Sequence, residues 1–262
     1  MFITTRFFPT RALGSSRAHK VLERNVIVYR RGWTIIVSGF FEPLFYLLGI
    51  GFGLGTLVGD VGDIPYAAFV APGLMATAAM NGALFESTFN LFFKLKYAKT
   101  FDAILSTPLG PSDIAIGEVS WALTRGLLYA IAFLVVMLAL GLVLAPTGIL
   151  MIPGAVLIGL AASAVGMAAT TYMRKWQDFD LVTVVTMPMF LFSGTFYPIS
   201  VYPDWLETIV EFTPLYRGVH MMRSFSLGEI DAMILFDIAY LAIMGLVGVA
   251  ITARRLRGLL LK

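Results

Sequence analysis

The sequence predicts an all-α membrane protein with six transmembrane helices. Of its 262 residues, 58% are hydrophobic and 13% are charged, whereas a soluble domain carries about a quarter charged residues. Six apolar stretches are each near or above the roughly 20 residues that a bilayer-spanning helix needs. The chain contains no cysteine, which excludes disulfides and thiolate metal sites. We therefore expect one transmembrane domain over residues 1–262.

A basic amphipathic helix is predicted to precede the first span, from about Ser16. The first 33 residues carry seven basic side chains. Val21, Leu22, Val26 and Tyr29 recur at helical spacing on one side. A helix of this kind lies in the headgroup layer of a membrane. The alternative is an ordinary solvated basic tail.

The apolar runs and their breaks place the six spans. Two aspartates follow the first run, Pro146-Thr147-Gly148 makes a turn before the fourth, and Arg174-Lys175 ends the fourth. Two overlapping GxxxG patterns in residues 49–55 predict close helix packing. The predicted spans cover about residues 33–58, 65–93, 117–144, 149–173, 181–197 and 232–253.

The basic residues predict the orientation. Sixteen of the 19 lysines and arginines lie in the amino-terminal segment, the 94–99 loop, the 174–175 loop and the carboxyl terminus. The opposite loops hold Arg217 and Arg223 among seven acidic residues. By the positive-inside rule, both termini and the 94–99 loop are cytoplasmic.

Residues 91–117 are a charged, turn-rich interruption between two long apolar runs. Three lysines open it, and Thr107-Pro108 with Gly110-Pro111 closes it. Apolar residues between them recur at spacings of three and four, which predicts a short amphipathic helix at the membrane surface. A helix in this position can contact a protein outside the bilayer. The residues that we assign to such docking are Leu95, Lys96, Lys99, Phe101, Asp102, Ile104 and Leu105.

Polar residues inside the spans are functional candidates because burying them in a bilayer is costly. Glu42 lies well inside the first span, and Pro43 after it bends the helix. Glu42 either lines a substrate path or a subunit seam, or is hydrogen-bonded within the bundle at the kink. Asn81 and Glu86 lie in the second span, and for Glu86 we expect a structural partner such as Arg125.

The segment between the fifth and sixth spans predicts two short amphipathic helices on the outer face. Pro203-Asp204 begins the first, Pro214 ends it, and a second piece follows. They form either a gate for a substrate or a plain loop resting on the headgroups. The gate residues that we assign are Trp205, Phe212, Tyr216 and Arg217.

No motif for chemistry is present. The sequence lacks a phosphate-binding GxxxxGK[ST] loop and the HExxH and GxSxG patterns. We therefore expect no cofactor bound by this chain, no metal site, no catalytic residue and no nucleic-acid partner. Transport and scaffolding remain as the classes of function that the sequence allows.

Two blocks resemble a known family. Residues 71–118 (APGLMATAAMNGALFESTFNLFFKLKYAKTFDAILSTPLGPSDIAIGE) and 188–219 (PMFLFSGTFYPISVYPDWLETIVEFTPLYRGV) resemble the membrane subunits of type-2 ABC exporters. The branch is that of nodulation lipo-chitooligosaccharide exporters and daunorubicin-type drug exporters. The likeness covers about residues 20–257.

The resemblance implies a partner and an energy source. A permease of this family works as a dimer, a homodimer or a pair with a close paralogue, in a bacterial cytoplasmic membrane. Two copies of a separate ATPase subunit dock below it and bind ATP and Mg. The family's coupling helix corresponds to about residues 95–105, its interface helix to 17–31, and its re-entrant helices to 202–223. The substrate implied is a lipid-linked oligosaccharide, glycolipid or amphiphilic drug.

Three other functions stay open on the residues alone. The chain could be a membrane anchor or assembly subunit without transport. A membrane-embedded transferase would need polar groups converging at one depth. A secondary transporter would show an inverted repeat or a charged relay across the spans.

Overall fold

The computed structural model describes residues 17–31, 41 and 43–260, which are largely helical. A two-stranded antiparallel hairpin, Asp60–Val61 with Ile64–Pro65, joins α2 to α3. The helices are α1 Ala18–Arg31, α2 Pro43–Val58, α3 Tyr66–Tyr97, α4 Thr100–Leu105, α5 Pro111–Ala139, α6 Pro146–Thr170, α7 Phe179–Phe192, α8 Asp204–Glu211, α9 Pro214–Leu227 and α10 Met233–Leu260.

Four helices of the described chain, α3, α5, α6 and α10, are long and apolar enough to cross a membrane. They correspond to the second, third, fourth and sixth predicted spans. In α3, 83% of the most apolar stretch is buried within the protein, against 28% in α10. The second predicted span is therefore the centre of the bundle, and the last one lies at its edge.

The first and fifth predicted spans are not among these four helices. Most of residues 33–42 lies outside the described chain, so the first span is described from Pro43 to Val58. Helix α7 has 14 residues, about 21 Å at 1.5 Å per residue, which is short of a hydrocarbon core of about 30 Å. It ends at Phe192 because Gly194 adopts a left-handed φ of 71°. Residues 193–197 are non-helical, and the six-span count stays a prediction.

Small residues let α6 approach its neighbours closely. A Cβ added at Gly248 of α10 would lie 2.7 Å from the Ala164 carbonyl carbon of α6. A Cβ added at Gly166 of α6 would lie 2.5 Å from Ser87 Oγ of α3. Membrane helices associate through this kind of backbone contact, since lipid gives no hydrophobic drive between them. In the predicted GxxxG stretch, Gly51 approaches α3, whereas Gly49 has no neighbour within 4 Å.

The core lies between α3, α5, α6 and α9. Leu74, Phe133 and Met151 are at most 1% exposed there. Leu215 and Met222 of α9 are also fully buried in this cluster. The second outer helix is therefore part of the core, and the alternative of a plain loop on the headgroups does not fit it.

We predict that Gly248→Ala destabilises the folded protein. Overpacking against backbone atoms, which cannot rotate away, costs about 1–3 kcal/mol. The matched control is Gly49→Ala, since no atom lies within 4 Å of its added methyl group. Thermal unfolding in detergent, followed by size-exclusion chromatography with fluorescence detection, should show a lower midpoint for Gly248→Ala alone. Equal midpoints would mean that α6 and α10 do not pack as described.

Candidate functional site

The predicted short helix is present as α4. It lies in a loop with a sharp backbone turn before it. Lys99 adopts a left-handed φ of 46° and is the only described residue other than glycine with a positive φ. That conformation costs a non-glycine residue about 1–2 kcal/mol and turns the chain sharply between α3 and α4. At the other end, the Gly110 N–H donates to Asp113 Oδ2 at 2.8 Å, which caps α5.

The apolar side of α4 faces the interior of the protein. Phe101 is 1% exposed and Ile104 is 8% exposed, and they belong to a cluster with Leu91, Ile114 and Met167. The periodicity predicts an apolar face correctly but does not say which way it points. Phe101 and Ile104 are thus core residues in this structure and are not exposed for docking. The assignment of the loop to docking stays a prediction.

Charged side chains are exposed on the loop, next to Tyr97, which is 60% exposed. Lys96, Lys99 and Asp102 are exposed, while Leu95 and Leu105 are half-buried beneath them. A partner that docks on this loop would therefore contact these charged side chains. The part of the loop beneath them is packed into the core of the protein.

Helix α1 is packed against the same region. Ala18, Val21 and Asn25 are buried, and a Cβ at Gly117 of α5 would lie 2.5 Å from the Val21 Cβ. Arg17 Nη1 also donates to the Pro108 carbonyl at 2.8 Å, across the closing turn of the loop. Helix α1, the loop and the start of α5 therefore form one packed unit.

The far half of α1 leaves three consecutive apolar residues uncovered. Val26, Ile27 and Val28 are 46%, 66% and 53% exposed. Exposed apolar side chains on a basic helix are typical of a membrane-surface helix. The predicted helix is confirmed, and its position in the headgroup layer stays a prediction.

Under the loop lies a buried ion-pair network centred on Glu86. Arg125 Nη1 is 2.6 Å from Glu86 Oε2, which confirms the partner expected from the sequence. Lys94 Nζ is 2.7 Å from Glu118 Oε2 and 3.3 Å from Glu86 Oε1. The four charges join α3 to α5, and the two cations balance the two carboxylates.

Neutral hydrogen-bond partners complete the network. Tyr29 of α1 donates to Glu86 Oε2 at 2.9 Å, and Asn90 Nδ2 donates to the same oxygen at 2.6 Å. Arg125 Nη2 donates to Tyr129 Oη at 2.8 Å. Burial, and then the charge of Glu86, raise the pKa of Tyr29 well above its usual range, so its hydroxyl stays a donor at any physiological pH.

The other two polar residues predicted to lie inside the spans are Asn81 and Glu42. Asn81 is exposed on the surface of α3. Glu42 lies outside the described residues. Of the three candidates, Glu86 alone is thus placed in a described polar site.

The two outer helices are present and differ in burial. In α8, Trp205 is 66% exposed, and Phe212 just after it is 62% exposed. In α9, Tyr216 is half-buried and Arg217 is buried. The four predicted gate residues therefore do not form one surface.

A buried acidic residue outside this network, Asp237, was not identified from the sequence. It is 0% exposed, and its carboxylate contacts Arg217 Nη1 at 3.3 Å and His220 Nδ1 at 2.6 Å. This cluster fastens α9 to α10. The sequence signal that could have identified Asp237 is a single carboxylate one turn into an apolar span.

Comparisons with known proteins match most of the chain. The family described as ABC-2 type transporter matches residues 19–227. Nodulation protein J of Rhizobium leguminosarum bv. viciae is 31% identical over 242 residues, covering 90% of this chain and 93% of the relative. The protein of the same name from Rhizobium leguminosarum bv. trifolii is 32% identical over 218 residues, covering 82% and 83%. Inner membrane transport permease YadH of Escherichia coli is 23% identical over 184 residues, covering 70% of each chain.

We predict that Glu86→Gln is more damaging than Glu86→Gln combined with Arg125→Gln. The single change leaves one buried cation uncompensated, which costs about 3–5 kcal/mol, whereas removing both charges restores neutrality. The measurement is the thermal unfolding midpoint of each variant in detergent. Glu23→Gln is the control, since its pair with Lys20 is solvent-exposed and the midpoint should not move. A double variant less stable than the single one would contradict a paired, charge-balanced network.

Proposed function

We propose, because this chain belongs to the ABC-2 type transporter family, that it is the membrane-spanning permease subunit of an exporter driven by a separate ATPase. The family membership rests on the match over residues 19–227. Permeases of this family are transport components without an ATPase site of their own. ATP and Mg would therefore bind to the partner subunit.

One observation carries the docking proposal. The loop that carries α4 exposes Lys96, Lys99 and Asp102 on its outer face. On the inner side of α4, Phe101 and Ile104 belong to a cluster with residues of α3, α5 and α6. A force applied to α4 would move these helices together, since well-packed interiors transmit strain. We place the ATPase contact on the outer face, with Lys96, Lys99 and Asp102.

The assembly would contain two ATPase copies and two permease subunits, the second permease being identical or a close paralogue. We place the complex in the bacterial inner membrane with both termini and the α4 loop on the cytoplasmic side. The basic residues at that end of the bundle support this orientation. The printed name of the Escherichia coli relative, an inner membrane transport permease, agrees with it.

The proposed substrate is amphipathic: a lipid-linked oligosaccharide, a glycolipid or an amphiphilic drug. The likeness to the nodulation proteins supports this class. We place the exit of such a substrate at the predicted outer segment, where the aromatic residues Trp205 and Phe212 are exposed.

We predict that Lys96→Glu with Lys99→Glu uncouples the permease from its ATPase. Reversing two exposed charges should weaken association about tenfold, or about 1.4 kcal/mol, without disturbing the core beneath. The measurement is co-purification with the partner ATPase subunit, together with permease-stimulated ATP hydrolysis in proteoliposomes.

The control is Arg254→Glu, an exposed basic residue at the same end on α10. It should leave both readouts unchanged. Phe101→Ala does not test the surface, because removing a buried phenylalanine costs about 3–5 kcal/mol of folding free energy. Normal association of the Lys96/Lys99 double variant would remove the loop from the docking assignment.

A further inference from the structure

An open apolar crevice runs between α6 and α7. Its volume is about 600 Å³, within the range of about 300–1,000 Å³ of small-molecule sites. Val165 and Ala169 of α6 line one wall, and Val182, Val185 and Met189 of α7 line the other. All of these lining residues are apolar, so the crevice suits a hydrocarbon chain.

The crevice exists because α7 is attached mainly at its ends. At its start, Phe179 is 3% exposed and stacks on Phe89 with ring centroids 4.1 Å apart. Just after its end, Ser193 and Thr195 are fully buried. Between these points Val184 is 67% exposed. The middle of α7 therefore stands off from the bundle.

Basic side chains surround one end of the crevice, which we call its mouth. Tyr172 and Met173 line the crevice there, and Arg174 and Lys175 follow them directly, both exposed. The Arg255 guanidinium of α10 lies 4.1 Å above the Tyr172 ring.

The Arg255 guanidinium has unused donors. Its Nη2 makes one long contact of 3.5 Å with the Thr171 carbonyl. Its Nε is buried and has no hydrogen-bond partner. The guanidinium therefore keeps hydrogen-bonding capacity on its Nη groups, and an anion at the mouth would make charge-assisted hydrogen bonds with them.

Two carboxylates also lie near the mouth. Asp178 is the one charged side chain among the described residues that line the crevice. Its Oδ2 accepts hydrogen bonds from the backbone N–H groups of Arg174 at 2.6 Å and Lys175 at 3.1 Å. These hydrogen bonds lower the pKa of Asp178, so its carboxylate stays ionised. Its Oδ2 is already used as an acceptor within its own turn. Asp180 is exposed, and three cations against two carboxylates leave the mouth net positive.

The opposite end of the crevice is uncharged. Pro214, Leu241 and Met244 line it. An amphiphile can therefore enter in one direction only, with its charge at the mouth and its tail along α6 and α7.

We infer that this crevice binds one acyl chain of an anionic phospholipid of the bilayer, whose phosphate lies at the mouth beside Arg255. Basic pockets between transmembrane helices bind anionic headgroups, and the apolar walls fit the chain. The lipid would fill the space between α7 and the bundle and so hold α7 at its present distance. The site goes beyond the transport function, because the ligand is a resident membrane lipid.

The test is lipid retention measured by native mass spectrometry on the full chain. The protein is reconstituted in nanodiscs with equal amounts of phosphatidylglycerol and phosphatidylcholine and released gently into detergent. We expect phosphatidylglycerol to be retained about tenfold over phosphatidylcholine. Arg255→Gln should abolish this preference and Arg255→Lys should keep it. Val165→Trp, which fills the crevice, should lower retention of both lipids.

Matched controls separate the site from general effects. Arg257→Gln changes an exposed arginine on the same helix, and Val135→Trp adds the same bulk to an exposed position of α5. Both should retain lipid as the parent does. Lipid retention is compared only among variants whose thermal unfolding midpoint equals that of the parent.

Three results would overturn the inference. The first is equal retention of the two lipids by the parent protein. The second is displacement of phosphatidylglycerol by an added lipid-linked oligosaccharide, which would make the crevice a cargo site. The third is oxidative cross-linking of Val165→Cys into a dimer, which the cysteine-free background makes unambiguous and which would place a second copy in the crevice. None of these bears on whether an ATPase docks at α4.

Discussion

The structure depends on the buried carboxylate of Glu86. A charge that is 1% exposed cannot be accommodated without compensation, and here two cations, a tyrosine and an asparagine supply it. These partners come from three helices: α1, α3 and α5. Because removing any one of the four charges leaves the buried network with an uncompensated net charge, the network specifies a single arrangement of the three helices more strongly than apolar packing alone would.

That constraint divides the permease into a rigid part and a looser one. Helix α4 is packed on the rigid part, with Phe101 in the same cluster as residues of α3, α5 and α6. Helix α7 belongs to the looser part, since Val184 and Val185 in its middle are both exposed. In an ATP-driven cycle, the force would therefore enter through the rigid part, and the packing leaves α7 the freer of the two to change position.

The long apolar runs predicted α3, α5, α6 and α10 well, because a bilayer demands about 20 apolar residues in succession. The pairing of Glu86 with Arg125 was also predictable, since two opposite charges at one depth have few other partners. The direction of Phe101 was not, because helical periodicity defines an apolar face without saying what covers it. The end of α7 at Phe192 depends on Gly194 and on Arg223, whose Nη2 donates to the Gly194 carbonyl at 2.8 Å, and such tertiary contacts leave no local pattern.

The buried carboxylate of Asp237, which lies outside the Glu86 network, explains how α9 is held. It joins α9 to α10 through Arg217 and His220, and α10 in turn contacts α6 at backbone distance through Gly248. A movement of α9 therefore requires either that α10 moves with it or that Asp237 loses both partners while still buried. The second route carries a penalty of several kcal/mol. Displacement of the outer helices thus favours a joint shift of α9 and α10, which would also move Arg255 at the far end of the same helix.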